Sequence, residues 1–315
     1  MVPVLLLLLG FVLLIKGADF FVDGSSAIAK TFKIPPVIIG LTIVALGTSA
    51  PEAAVSIQAA MNQNNAISVS NVIGSNLFNL LMVIGCCAVL KKMNVDKSIL
   101  RRDFPLCIFV TALTVFFLRD RGLSRTEGVI LLLLFFVYLT VIVIAAIKNK
   151  EVGEDSIKPL PVWLSLVYIA LGLVGVVWGG DLVVDNASRI AERLGMSSTL
   201  IGLTIVALGT SLPELVTSLV ASAKGSSDLA IGNVIGSNIC NILFVLAASA
   251  SISPMKGISA DSLIDGAVCL GVTVLMYLMC FRKKQFSRAQ GAVCIVIYLV
   301  YTAYILLRNY NLLPF

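Results

Sequence analysis

The sequence of 315 residues contains no histidine and few charged residues. Without histidine, imidazole metal ligands and histidine acid–base catalysis are both excluded. Charged residues make up 13% of the chain, against roughly 25% in a typical soluble domain, whereas hydrophobic residues make up 58%. With a mean hydropathy of +1.01, the chain lacks the polar residues needed to cover a surface exposed to water. We therefore predict an all-α integral membrane protein, since helices satisfy their backbone groups within lipid.

Other signatures of function are also missing. None of the seven cysteines forms a C-x-x-C motif, and their odd number does not indicate a disulfide framework, so we interpret them as reduced apolar residues. The absence of a zinc motif and of a G-x-S-x-G elbow argues against a membrane enzyme, and no cofactor is expected. The net charge of +6 comes from short basic clusters between apolar runs, so we expect no nucleic-acid partner and no obligate protein partner.

Ten apolar segments are predicted to cross the membrane as helices. They cover residues 2–22, 37–61, 66–90, 104–118, 126–147, 161–184, 197–223, 228–252, 262–281 and 289–308. The first segment could be taken for a signal peptide, but it lacks a basic start and a clear cleavage site. A polar stretch divides the chain, which predicts a first unit at 1–148, a linker at 149–160 and a second unit at 161–315.

Lysine and arginine residues are unevenly shared between the two predicted sides of the membrane. The loops after the odd-numbered spans carry fifteen of them, and the other side carries seven. Because basic residues are enriched in cytoplasmic loops, the odd-numbered loops and the linker are predicted to be cytoplasmic. We therefore expect a multi-pass protein of the cell (inner) membrane with both termini extracytoplasmic.

The two units repeat one another at an offset of 162 residues. Ile39–Ser49 and Ile201–Ser211 both read IGLTIVALGTS, and NVIGSN occurs at Asn71–Asn76 and at Asn233–Asn238. Since each unit has an odd number of spans, the second would enter the membrane from the opposite side. Inverted repeats of this kind are typical of secondary transporters with a site at the midplane. A duplicated structural protein is the alternative, but the identity concentrates on polar and helix-breaking residues.

Two acidic residues, Glu52 and Glu214, lie near the middle of the second and seventh predicted spans, at matching positions of the repeat. A charged side chain at a helix centre costs about 2.5–3.5 kcal/mol on insertion scales, which indicates a functional site inside the protein. The alternative is a pair of protonated glutamates that hydrogen-bond across helices.

A proline precedes each of these glutamates, at Pro51 and Pro213. Proline removes a helical hydrogen bond, and the glycine four residues earlier further loosens the helix, so we predict that helices 2 and 7 are broken. A simple proline kink is the alternative. Irregular backbone at membrane depth is tolerated where it lines a cavity. The break is predicted to free the carbonyls of Ala45, Gly47, Thr48, Ala207, Gly209 and Thr210.

Each following span carries a polar stripe at i, i+4 and i+8, formed by Asn71, Ser75, Asn79 and by Asn233, Ser237, Asn241. For Asn71 and Asn233, helix packing and ion binding remain equally open. The deeper stripe residues are interpreted as ligands. Carboxylate, hydroxyl, amide and carbonyl oxygens suit Ca²⁺ or Na⁺, and Na⁺ would compete with Ca²⁺ for the same two carboxylates.

The motifs GTSAPE at Gly47–Glu52 and GTSLPE at Gly209–Glu214, each followed by GSN-x-x-N, resemble the paired alpha repeats of the cation/Ca²⁺ exchanger superfamily. They are most similar to those of prokaryotic sodium/calcium exchangers. The resemblance implies ten transmembrane helices in two inverted five-helix repeats, with helices 2 and 7 broken. The ion ligands that it implies are Glu52, Glu214, Thr48, Ser49, Thr210, Ser211, Ala45, Ala207, Ser75, Ser237, Asn79 and Asn241.

The resemblance implies an antiporter that exchanges Ca²⁺ for Na⁺ by alternating access, in which spans 1 and 6 slide past a rigid core. An H⁺/Ca²⁺ antiporter is the main alternative, although its branch carries Gly-Asn where this chain has Gly-Thr-Ser. K⁺-dependent exchangers carry aspartate at the position of Asn241, which argues against strong K⁺ dependence. A channel and a non-transporting scaffold are further alternatives. Interfacial roles are expected for Asp19, Asp23, Asp181 and Asp185.

Overall fold

The computed structural model describes residues 2–148, 160–196 and 207–309, and these are almost entirely helical. The helices are α1 (Val2–Phe32), α2 (Pro36–Thr48), α3 (Ala50–Met61), α4 (Asn65–Leu90), α5 (Phe104–Leu118), α6 (Arg125–Lys148), α7 (Val162–Arg193), α8 (Ala207–Gly209), α9 (Leu212–Ala223), α10 (Ser227–Ile252), α11 (Ala260–Phe281) and α12 (Arg288–Asn309). Wider π-helical turns occur at Gly40–Val44 in α2, Asn79–Val83 in α4, Ile99–Asp103 before α5 and Asn241–Leu246 in α10.

Within the described ranges, seven helices are long and apolar enough to cross a membrane, namely α1, α4, α6, α7, α10, α11 and α12. An eighth span is formed if α2 and α3, which are bent by 48° at their junction, are taken together. The chain is therefore an all-α, multi-pass membrane protein. The fourth and seventh predicted spans are not among these eight. The helix of the fourth, α5, has only 15 residues, and residues 197–206 of the seventh lie outside the described ranges.

The ends of most predicted spans agree with the helices to within two residues. The first and sixth are wrong at their C-terminal ends, because α1 continues to Phe32 and α7 continues to Arg193. Hydropathy marks only the apolar part of a helix. Beyond residue 22, α1 is polar yet packs against the protein, with Gly24 to Ala29 buried, and this packing keeps it helical.

The helices are arranged around α4 and α10. Of the most apolar 18-residue stretch of α10, 94% is buried, whereas the corresponding share in α12 is 11%. The outer helices direct large apolar side chains such as Leu133, Trp163 and Val300 away from the protein. Such a surface is stable in a lipid bilayer but not in water.

The outer helices α1 and α7 pack against each other along their length through small residues. A Cβ atom added at Gly17 would lie 2.6 Å from the backbone nitrogen of Val176, and one added at Gly179 would lie 2.5 Å from that of Leu14. Glycine at these positions lets the two backbones approach closely, as is common between membrane helices. The two helices therefore form one tightly packed pair.

Two short antiparallel ribbons join loops that are distant in sequence. Strand β1 (Met93–Asn94) pairs with β4 (Gln285–Phe286), with Met93 opposite Phe286. Strand β2 (Gly122–Leu123) pairs with β3 (Met255–Lys256). The sequence did not predict these strands because two residues are too few to show a period. Each ribbon joins two loops that the alternation of spans assigns to one side of the membrane.

Candidate ion-binding site

The two glutamates lie at matching helix starts. Helix α2 ends one residue before Ser49, which has φ −80° and ψ 7°, and Pro51 and Glu52 lie in the first turn of α3. Proline fits this position because the first helical N–H groups lack a partner in any case. Ser211 and Glu214 occupy the corresponding positions before and within α9. Each carboxylate therefore lies at the positive end of a helix dipole, which favours its negative charge.

The predicted release of backbone carbonyls is wrong for Ala45. Its oxygen accepts the N–H of Ser49 at 3.0 Å, because the helical hydrogen bonding continues up to the break. The hydroxyl of Ser237 also lies 3.5 Å from this oxygen. In the second unit, Ala207 begins α8, and Thr210 and Ser211 separate it from α9.

Each carboxylate is hydrogen-bonded by a serine of the other unit. Ser211 Oγ donates to Glu52 Oε1 at 3.0 Å, and Ser49 Oγ donates to Glu214 Oε1 at 3.2 Å. All four side chains are fully buried. The structure thus brings both glutamates and both serines into one site that neither unit could form alone.

A second serine from the following helix contacts each of the same carboxylate oxygens. Ser75 on α4 lies 3.4 Å from Glu52 Oε1, and Ser237 on α10 lies 3.5 Å from Glu214 Oε1. Both serines are buried. All four serines therefore contact Oε1 atoms, and the shorter hydrogen bonds, from Ser211 and Ser49, orient the two carboxylates.

Several buried polar atoms at this site have no hydrogen-bond partner among the described residues. They are Oε2 of Glu52, Oε2 of Glu214, Oδ1 and Nδ2 of Asn79, Oδ1 of Asn241 and Oγ1 of Thr210. Buried polar groups are almost always paired, because leaving them unpaired costs free energy. Nearly all of these atoms are hard oxygens that a Ca²⁺ or Na⁺ ion can bind.

The outermost asparagines of the two stripes join neighbouring helices. Asn71 Nδ2 donates to Ser56 Oγ at 2.9 Å, and Asn233 Nδ2 donates to Ser218 Oγ at 3.0 Å. Asn233 Oδ1 also accepts from Thr48 Oγ1 at 3.1 Å. Of the two alternatives, these contacts favour helix packing for both asparagines.

Sequence reasoning missed a pair of amides in the centre of the protein. Asn76 Nδ2 donates to the backbone oxygen of Asn238 at 3.2 Å, and Asn238 Nδ2 donates to that of Asn76 at 3.1 Å. In addition, Asn241 Nδ2 donates to Asn76 Oδ1 at 3.1 Å. The signal was present, because both asparagines end the repeated NVIGSN motif.

The aspartates of α1 lie outside the carboxylate site. Lys224, which follows α9, places Nζ 2.7 Å from Asp23 Oδ1 and 3.3 Å from Asp19 Oδ1. All three side chains are partly exposed. These ion pairs join the end of α9 to the outer helix α1.

Comparison with known proteins identifies the family. The sequence model of the family described as "Sodium/calcium exchanger protein" matches residues 2–144 and 164–307. The protein CaxA of Alkalimonas amylolytica is 41% identical over 311 residues, covering 96% of this chain and 98% of its own. The sodium/calcium exchanger MaX1 of Methanosarcina acetivorans is 31% identical over 337 residues, covering 94% of this chain and 96% of its own.

A solved structure of the sodium-calcium exchanger NCX_Mj superimposes with a TM-score of 0.85 and 34% sequence identity, covering 96% of this chain and 98% of that chain. Similarity of this extent shows a shared fold. MaX1 and NCX_Mj are ion exchangers and CaxA is named as an antiporter, so these relatives are transporters rather than enzymes. The chain therefore belongs to the sodium/calcium exchanger protein family.

Proposed function

We propose that this protein is a secondary active antiporter that exchanges Ca²⁺ for Na⁺ across the cell (inner) membrane by alternating access. Family membership and the likeness to NCX_Mj support the exchange of these two ions. The observation that carries the proposal is the pair of buried carboxylates, each with one oxygen held by serines and the other without a partner among the described residues.

Ca²⁺ would bind between the two glutamates. It takes six to eight oxygen ligands, and two carboxylates balance its charge. Neutral oxygens would complete the shell. For Ca²⁺ and Na⁺ taken together, the proposed ligands are Glu52, Glu214, Thr48, Ser49, Thr210, Ser211, Ala45, Ala207, Ser75, Ser237, Asn79 and Asn241. Na⁺ ions would occupy overlapping positions on the same carboxylates. Occupation by one ion species then excludes the other, which is the condition for exchange.

Ion access from the two sides would alternate by movement of α1 and α7. The proposed architecture has ten spans in two inverted repeats, with α5 as the fourth span and α8 with α9 as the seventh. The glycine contact between α1 and α7 supports movement of these two helices as a pair past the rest of the protein. The excess of basic residues in the odd-numbered loops supports extracytoplasmic termini.

Proton coupling is the principal alternative, because buried carboxylates can also carry protons. To distinguish the two, purified protein is reconstituted into liposomes, and ⁴⁵Ca²⁺ uptake is driven by an outward Na⁺ gradient, by a pH gradient or by neither, each with and without K⁺. We expect uptake only with the Na⁺ gradient and no increase on adding K⁺. Uptake driven by the pH gradient alone would contradict Na⁺ coupling.

A further inference from the structure

Four buried amide side chains meet where α4 crosses α10: Asn76 and Asn79 from the first unit, and Asn238 and Asn241 from the second. Asn241 follows Ser237 by one turn, and its N–H bonds to the carbonyl of Ser237, so the two residues share a face of α10. Ser237 contacts the carboxylate of Glu214. The amide of Asn241 thus lies next to the site of the two glutamates.

The hydrogen bonds determine how each amide is turned. A backbone carbonyl can only accept, so Asn76 must direct its amino group to the carbonyl of Asn238, 3.2 Å away. Its Oδ1 then faces Asn241, which must donate from Nδ2 at 3.1 Å. This leaves Oδ1 of Asn241 turned away from Asn76, buried and without a partner in the described part of the chain.

The hydrogen bond that the repeat would match to this one, from Asn79 Nδ2 to Asn238 Oδ1, is not formed. Asn238 Nδ2 donates to the carbonyl of Asn76 at 3.1 Å, as the repeat requires. However, Asn238 Oδ1 and both polar atoms of Asn79 lack partners among the residues described. Of the two amides beside the site, only that of Asn241 is therefore fixed by a hydrogen bond.

We propose that Asn76 is a positioning residue for cation binding: it holds the amide of Asn241 so that the carbonyl oxygen, and not the amino group, faces the ion. The inference rests on the proposed function. Rotation of an amide by half a turn exchanges an oxygen for an NH₂ group of almost the same size. The NH₂ group is a donor that cannot ligate a cation, so only one of the two orientations contributes to binding.

The test compares the effect of Asn76→Ala in two backgrounds. In the otherwise unchanged protein, we expect Ca²⁺ affinity, measured by titration calorimetry in Na⁺-free detergent, to fall about tenfold. In the Asn241→Asp background, we expect a change below about twofold, because both oxygens of a carboxylate bind cations and neither orientation is wrong. A purely structural role for Asn76 would lower the affinity equally in both backgrounds, and that result would overturn the inference.

Asn238→Ala is the matched control, because it removes an equivalent hydrogen bond between α4 and α10 but keeps the backbone carbonyl that orients Asn76. Any effect of this variant should be the same in both backgrounds. If Asn76→Ala does not fold, Asn76→Leu serves instead, since it has nearly the same shape and removes the acceptor for Asn241. It should show the same difference between the two backgrounds, and equal losses of Ca²⁺ affinity in both would contradict the inference.

The proposed function and the role of Asn76 can be contradicted separately. If the unchanged protein neither binds Ca²⁺ nor exchanges it for Na⁺, the proposed function is wrong and the inference falls with it. If the unchanged protein exchanges the ions but the two backgrounds respond alike to Asn76→Ala, the proposed function stands and only the role of Asn76 is lost.

Discussion

Ser211 donates a hydrogen bond of 3.0 Å to Glu52, although the two residues are 159 positions apart and belong to different halves of the chain. The reciprocal bond, from Ser49 to Glu214, measures 3.2 Å. Because each carboxylate is oriented by a hydroxyl of the other unit, the geometry of the site depends on how the two units are packed together.

These crossed hydrogen bonds lead to a prediction for the serines. Ser211→Ala should lower Ca²⁺ affinity about tenfold or more, because a hydrogen bond to a charged group contributes about 1.5–3 kcal/mol and the freed carboxylate loses its orientation. Ser49→Ala should have a similar effect. Titration calorimetry of the purified variants measures both.

Ser249→Ala is the control for these variants. Ser249 is also buried, but its hydroxyl donates at 2.8 Å to the carbonyl of Val245 in its own helix. We expect its Ca²⁺ affinity to stay within about twofold of the parent. Equal losses in Ser211→Ala and Ser249→Ala would show that the crossed hydrogen bonds are not specific to ion binding.

The close contact of α1 with α7 predicts a loss of stability in Gly17→Ala. The new methyl group would lie 2.6 Å from a backbone atom of α7 that cannot move by itself. Overpacking of this kind costs about 1–3 kcal/mol, so the thermal unfolding midpoint in detergent should fall.

Gly271→Ala offers the opposite result, since an added Cβ on this residue of α11 has no atom within 4 Å among those described. Alanine favours a helix over glycine by up to about 1 kcal/mol, so the unfolding midpoint should stay the same or rise. A fall of the same size in both variants would contradict tight packing at Gly17.

Movement of α1 predicts that fixing this helix to α9 stops exchange. Asp23 of α1 and Lys224, which follows α9, form an ion pair of 2.7 Å between these two helices. Both are replaced by cysteine after removal of Cys86, the one native cysteine that is not buried. Cross-linking with a short bis-methanethiosulfonate should abolish Na⁺-driven ⁴⁵Ca²⁺ uptake, and reduction should restore it.

Each single-cysteine variant, treated with the same reagent, controls for modification without cross-linking and should retain its uptake. If the fully cross-linked double variant exchanges Ca²⁺ at the parental rate, α1 does not slide past α9 during transport.

The sequence predicted the positions of most helices and the matching buried positions of Glu52 and Glu214, because both depend on local patterns. Apolar length located the spans, and the repeat placed Glu52 and Glu214 at matching helix breaks. The sequence could not predict the C-terminal ends of α1 and α7, where packing keeps polar residues helical. Nor could it predict that Ser211 contacts Glu52 or that Asn76 contacts Asn241, since these contacts arise only when the two units pack together.

The central claim is that the two buried glutamates carry out exchange. Its most direct test is Na⁺-driven ⁴⁵Ca²⁺ uptake into liposomes by the parent, by Glu52→Gln and by Glu214→Gln, with Glu192→Gln at an exposed position of α7 as the control. We predict that the first two variants lose uptake while the control keeps the parental rate. Parental uptake by either Glu52→Gln or Glu214→Gln would contradict the account.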